Sequence, residues 1–421
     1  MINKLPEFAE IRYKDRVALI DPKNKVCLGV SSKIADNLEA ENVYNMLYPI
    51  WEEQVAFQKE VESLHEKINT AYLLVTQQCN MNCSFCAIEA SSDGHFDQEI
   101  TIEDIERKIV PFFQECCPHK VIVTGGEPLI KDSICEIIEV LHEGVKCPIV
   151  LQSNGLALQS DIVDRIKGKI AQIDFSTGHM FESERKEKML REHIEICQDA
   201  NINVALSFMY ENTTNREDLF KIIDIVAKYD TNLLIKFVTP VGRAKEHTVL
   251  LADLNKMEIY LDIAKYIYEK KYRGKLLSDI IGQRIQVKSA CGGYGKVMAI
   301  HPTGEIYMCQ SLMKDDYKIG NILTDSPKAV MNLLEKKMQT EKIKRTFCVE
   351  YKENCVACEY KYLCAGKCAA YSAGKGDECY LEKSMINYQL FCRNDSSPED
   401  NLKKYILFFE EAIKGYRENR V

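Results

Sequence analysis

The chain has 421 residues, 46% of them hydrophobic and 28% charged, with a formal net charge of −8. That length suits two or three domains, and the acidic balance argues against nucleic acid or an anionic membrane as partner, since both select for basic patches. The chain opens without a basic-then-apolar segment, and its apolar runs fall short of the ~20 residues a membrane span needs. A cytoplasmic protein is expected, in which 18 cysteines mean metal binding or thiol chemistry rather than disulfides.

Residues 1–65 read as a small strand-and-helix unit. EIRYKD and RVALID alternate like strands, DPKNK reads as a hairpin turn, and a charged helical stretch from about residue 42 carries Trp51. From 66 to 245 short apolar runs (AYLLVT, KVIVTGG, CPIVLQSNG, QIDFSTG, NVALSFMY, NLLIKFVTP) alternate with helical segments. Strict alternation of this kind means a parallel sheet with right-handed crossovers. The expected fold class is α/β: a partial (β/α)6 TIM-like barrel, with its site at the C-terminal ends of the strands. Residues 246–290 read as a helical bridge. Residues 291–395 are rich in cysteine and short in regular elements, apart from a hairpin at VMAIHPTGEIYMC, so this region depends on metal for its stability. Residues 396–421 form a last helix, with Ser397 as N-cap and Pro398 in its first turn.

Just after the first strand of the barrel, Cys79, Cys83 and Cys86 stand as CxxxCxxC. Three thiolates can hold three irons of a cubane and leave the fourth iron open to a ligand. Zinc would ask for four ligands, usually in CxxC pairs, and the bacterial ferredoxin run is absent. Two glycines, Gly125 and Gly126, end the second strand and let backbone approach a ligand. Glu127 beside them could accept a bond from an ammonium group. Ser153-Asn154-Gly155 ends the third strand, Ser176-Thr177 the fourth, and Asn215 follows the fifth; helix capping is an equal reading for these. Pro240-x-Gly242-Arg243-Ala244 ends the sixth.

This CxxxCxxC strand end resembles the signature of the radical S-adenosylmethionine (SAM) superfamily, and Phe85 before the last cysteine fits it. The resemblance covers about residues 70–245. It implies a [4Fe–4S] cluster on Cys79, Cys83 and Cys86 whose open iron chelates SAM. Reduction, by a partner such as flavodoxin or ferredoxin, would then release a 5′-deoxyadenosyl radical. It further implies that Gly125, Gly126 and Glu127 lie at the SAM amino group and Ser153 and Asn154 near its sugar and methionine. Ser176 and Asn215 match polar positions that face SAM in the family.

The second cysteine field reads Cys291, Gly304-x4-Cys309, then Cys355-x2-Cys358-x5-Cys364-x3-Cys368, then Cys379 and Cys392. Its order resembles the SPASM domain, which carries two auxiliary [4Fe–4S] clusters in radical SAM enzymes that modify peptides and proteins. The resemblance implies one auxiliary cluster on Cys291, Cys309 and Cys368, with either an open iron or Cys348 as fourth ligand. It implies a second on Cys355, Cys358, Cys364 and a late cysteine. Cys392 is the choice for that place and Cys379 the alternative. The expected partner is a precursor peptide, and residues 1–65 either bind its leader or cap the fold. The expected reaction is a thioether crosslink from a cysteine sulfur to carbon. Carbon–carbon crosslinking, epimerisation and sulfatase-type activation are the alternatives. Gln310, where sulfatase-maturing relatives commonly carry an aspartate, argues against the last. Cys116-Cys117, Cys27, Cys135, Cys147 and Cys197 read as packing residues, and His179 as a strand-end polar residue or a substrate contact.

Overall fold

The computed structural model describes residues 5–64, 68–94, 99–247, 250–282, 285–370, 379–394 and 396–418. Strands β1 (Ala9–Tyr13), β2 (Arg16–Asp21) and β3 (Val26–Ser31) form an antiparallel sheet in that order. Alternation along β2 turns Val17 and Leu19 to one face and Ala18 and Ile20 to the other. The first face packs with Val26 and Leu28 against Val43, Leu47 and Val55 of the helix Glu41–Leu64. The second packs against Val287, Tyr360, Leu363, Ile386 and Phe391, all from the far end of the chain. Arg16 Nη1 donates to the Phe391 carbonyl at 2.9 Å. The N-terminal unit is thereby docked on the cysteine-rich region rather than on the barrel.

Strands β4 (Thr70–Leu74), β5 (Lys120–Thr124), β6 (Ile149–Ser153), β7 (Gln172–Ser176), β8 (Asn203–Tyr210) and β9 (Asn232–Phe237) pair in sequence order, each parallel to the last. This is the six-stranded open barrel that the alternation of apolar runs and helical segments led us to expect. Leu73, Val121, Val123, Leu151, Ile173, Leu206, Leu233 and Ile235 face the helices and form one continuous core with them. Tyr72, Gln152, Asp174 and Ser176, one residue out of phase, face the lumen.

The sheet extends beyond the barrel. β10 (Val297–Ile300), β11 (Glu305–Tyr307) and β12 (Lys318–Asn321) come from the cysteine-rich region, and β10 pairs parallel with β4, from Val297↔Thr70 to Ile300↔Leu73. The nine-stranded order is β12-β11-β10-β4-β5-β6-β7-β8-β9. A strand added from 227 residues downstream has no local signature, which is why it escapes a reading of the sequence alone. The same region also holds more helix than expected, at Pro327–Gln339, Glu341–Phe347 and Tyr380–Asn387. The first of these buries only Val330 and Leu334, too sparse an apolar period to read as a helix. Among the described residues no helix is long and apolar enough to cross a membrane.

Candidate active site at the mouth of the barrel

After β4 the chain runs past Thr76 and Gln78 into the loop of Cys79, Cys83 and Cys86. The end of β5 lies directly against it: Gly126 N donates to Thr76 O at 2.7 Å and Glu127 N to Gln78 O at 2.8 Å. A Cβ on Gly126 would collide with the Gln78 carbonyl, and one on Gly125 would meet Thr76 O at 2.6 Å. The glycine pair is needed because two backbones pass with no room for a side chain. From the other side comes the segment after β9. Gly242, at φ +58°, lies so close to the Cys86 carbonyl that a Cβ would strike it. Arg243 N donates to Cys86 O at 3.1 Å, Arg243 Nε to Cys83 O at 2.8 Å, and both Nη atoms to Ala90 O at 2.9 Å. The last strand of the barrel thus clamps the loop that follows its first.

Cys79 is buried, and Cys83, Phe85 and Cys86 are half-buried. Burial pushes the Cys79 thiol up, with Glu127, Cys83 and Cys86 adding to the effect. Burial does the same for Cys83, against the pull of Arg243. Cys79 thus feels Cys83 and Cys86, and Cys83 feels Cys86.

Glu127 is 1% exposed and ties two strand ends together. Its Oε1 accepts from Ser153 Oγ at 2.7 Å and Leu129 N at 3.0 Å, and its Oε2 from Asn154 N at 2.7 Å. Burial raises its pKa, opposed by those three donors. Asn154 Nδ2 donates to Asn80 Oδ1 at 2.7 Å, so the third strand end also holds the cysteine loop. His179 packs beneath, its Nε2 3.0 Å from Asn154 O. Ser176 is exposed at the rim of the lumen. Asn215 is exposed too, and its Oδ1 accepts from Glu217 N at 3.0 Å, the helix-capping arrangement.

Inside the lumen is a set of polar groups that no motif announced. Asp174 accepts from Gln172 Nε2 at 2.5 Å and from Gln152 Nε2 at 3.3 Å. Lys236 is pushed down by the protein surrounding its ammonium and pulled back by Asp174. Tyr72 is raised by burial, with Cys309 and Asp174 contributing, and is hydrogen-bonded to Gln310. The only sequence signal for Asp174 and Lys236 is a charge within an apolar strand.

Residues 73–179 match the family model of the radical SAM superfamily. This chain carries a radical SAM domain. It is 24% identical over 237 residues to a GTP 3′,8-cyclase of Clostridium perfringens (strain SM101 / Type A), covering 50% of this chain and 72% of that one. It is 22% identical over 334 residues to the antilisterial bacteriocin subtilosin biosynthesis protein AlbA of Bacillus subtilis (strain 168), covering 75% and 69%. Streptococcus suis SuiB bound to precursor peptide SuiA superposes with a TM-score of 0.58 at 12% identity, covering 88% of this chain and all of that one, a likeness of fold.

The donors at the mouth of this radical SAM domain fit the cluster the family carries. A cubane spreads its thiolates over three iron corners, whereas a single ion draws its ligands to a point. Among the described residues no three Cys, His, Asp or Glu side chains are gathered for a single ion. Bound there, the [4Fe–4S] cluster and SAM supply the 5′-deoxyadenosyl radical. The protein's own part is to hold the loop by Arg243, Gly126 and Asn154 and to keep it covered.

The second cysteine field of this chain resolves into two groups and two further cysteines. Cys309, pushed up to about 11 by burial, feels Cys368 and Cys291, and Cys291 feels Cys368. Cys364, pushed up to about 12 by burial, feels Cys379 and Cys355, and Cys355 feels Cys358. Cys392 lies among Lys14, Arg16, Glu411 and Lys404, with Tyr13 beside it, and packs on the same apolar cluster as Cys358 and Cys364. Cys348 is near Cys291 but hydrogen-bonded to Tyr294.

Proposed function

We propose that this chain is a radical SAM enzyme that matures a ribosomally synthesised peptide, and that the finer reaction is a thioether crosslink between a cysteine sulfur and a carbon of the same peptide. The observation that carries this reading is the placing of Cys309. It belongs to one of two separate thiol groups, and its neighbour Gln310 reaches Tyr72 in the lumen. A peptide in the lumen would therefore lie between the radical source and a second thiol group. We assign auxiliary clusters to Cys291, Cys309 and Cys368 and to Cys355, Cys358, Cys364 and Cys379. Cys379 is preferred to Cys392 because Cys364 feels Cys379 directly. With Cys348 engaged by Tyr294, the first auxiliary cluster keeps an open iron for the substrate thiolate. The likeness to SuiB, a protein seen with its precursor peptide, supports a peptide substrate. The edge strand β3 of the N-terminal sheet offers the leader a place for strand addition.

Anaerobic reconstitution with iron and sulfide tests the reading. Three clusters require ~12 irons per chain by four irons each, and a count of about four would sink the two auxiliary assignments. SAM with a strong reductant should yield 5′-deoxyadenosine, and Cys83→Ala should yield none. A short cysteine-bearing peptide encoded beside this gene should then lose about two mass units, the hydrogens of one S–H and one C–H.

A further inference from the structure

Between the two C-terminal thiol groups stands Lys352, a residue outside every cysteine motif. Its main chain belongs to the turn that carries the cysteines: Lys352 N donates to Cys348 O at 3.2 Å, and its carbonyl accepts from Cys355 N at 2.9 Å. Its side chain crosses to the other segment. Nζ donates to the Lys367 carbonyl at 3.2 Å, within the loop from Cys364 to Cys368, whose ends belong to different thiol groups. Gly366, at φ +73°, makes room for it, since a Cβ there would lie 2.8 Å from Lys352 Nζ. The ammonium is thereby seated over the loop whose two ends belong to the two groups.

The other lysine of the loop is already neutralised. Lys367 Nζ lies 3.3 Å from Asp253 Oδ2, with both side chains only 7% exposed. Lys352 bonds a neutral carbonyl, and among the described residues it pairs with no carboxylate. Lys352 itself is half-buried, and an ammonium at this place is favoured by the negative charge that cysteine-ligated clusters bring.

We propose that Lys352 is a positioning residue shared by the two auxiliary sites: its ammonium, seated over Gly366, offsets the charge of both thiolate groups and raises their reduction equilibria together. This rests on the assignment of auxiliary clusters made above. Nearby charge is one of the protein's main levers on cluster potential, and the attraction between an ammonium and an anionic cluster favours the more negative, reduced state.

The test is a redox titration of the reconstituted enzyme followed by electron paramagnetic resonance, with iron counted in every sample. Lys352→Met should keep its iron and make the auxiliary clusters at least tenfold harder to reduce, about 59 mV for a one-electron couple. The cluster on Cys79, Cys83 and Cys86 should be unmoved, and Lys352→Arg should stay near the parent. Full iron with auxiliary equilibria within about twofold of the parent would overturn the proposal. If the methionine variant loses iron, Lys352→Gln decides, because it retains a donor for the Lys367 carbonyl without the charge. The tenfold loss there upholds the proposal, and parental equilibria refute it. A parent enzyme holding about four irons fails the cluster assignment instead, so the two failures are told apart.

Discussion

At the barrel mouth, the cysteine loop is laced to three strand ends by Arg243, Gly126 and Asn154, and beneath it lies a continuous apolar core from Leu73 to Ile235. In the second field, Cys355, Cys358 and Cys364 sit on turns and on a four-residue helix, Lys361–Cys364, whose apolar support at Tyr360 and Leu363 is shared with the N-terminal sheet. The first region is shaped by hydrogen bonds and packing that need no metal. The second places its thiols by short loops and one lysine, so its order depends on what the thiols hold. The barrel is a rigid frame for a reactive cofactor, and on the proposed assignment the appended region is a frame that its clusters would complete.

Removing iron should separate the two regions most sharply. After anaerobic chelation, limited proteolysis should cut first within residues 350–394, while fragments spanning 70–240 persist. Equal cleavage throughout would break the comparison. Next in size is Arg243→Lys, which keeps the charge but loses the fork that reaches Cys83 O and Ala90 O. Hydrogen bonds from charged groups contribute roughly 1.5–3 kcal/mol each. The variant should release iron from the mouth cluster several-fold faster in a chelator competition and form 5′-deoxyadenosine more slowly. The auxiliary clusters should keep their spectra.

The barrel was legible because its information is local. Each strand is a short apolar run, and the cysteines, glycines and Asn154 that build the mouth sit at strand ends, where a ligand site in such a fold must be. What could not be read is whatever depends on distant partners. The pairing of β10 with β4 joins segments 227 residues apart, and Asp174 and Lys236 become neighbours only when β7 and β9 curve around the lumen. The motif order favours Cys392 over Cys379 as the late ligand. The proposed assignment takes Cys379, because the helix Tyr380–Asn387 carries the chain on from Cys379 to Cys392 beside Tyr13 and Arg16. The sequence suggests an ammonium partner for Glu127 but not that its carboxylate accepts three protein donors and joins the second strand end to the third.

Glu127→Gln sharpens that last point at smaller scale. A glutamine must turn its NH2 toward either Leu129 N and Ser153 or Asn154 N, leaving at least one buried donor unpaired. A loss of ~1–3 kcal/mol in unfolding free energy is expected, with iron at the mouth retained. No loss would mean that the three bonds do not bind the strand ends.

The smallest effect is a pH dependence. His179, His193 and His301 are all pushed below their ordinary value of 6.5, burial being the largest cause in each. A folded pKa below the unfolded one means that the unfolded chain binds more protons in the interval between them, so stability is complete above pH 6.5 and falls as the solution is acidified through that interval. At His179 the neighbouring Lys186 adds to the lowering, while Asn154 O and Glu182 oppose it. Buried carboxylates such as Glu127 are raised and slope the other way, so the absolute curve of one protein is not diagnostic. The difference between the parent and His179→Gln cancels those shared groups. It should be flat above pH 6.5 and should shift in favour of the glutamine variant below it, as measured by urea unfolding at stepped pH. A difference that grows above pH 6.5 instead would mean that the His179 imidazole is charged against Asn154 O, and that the frame under the mouth is ionic rather than packed.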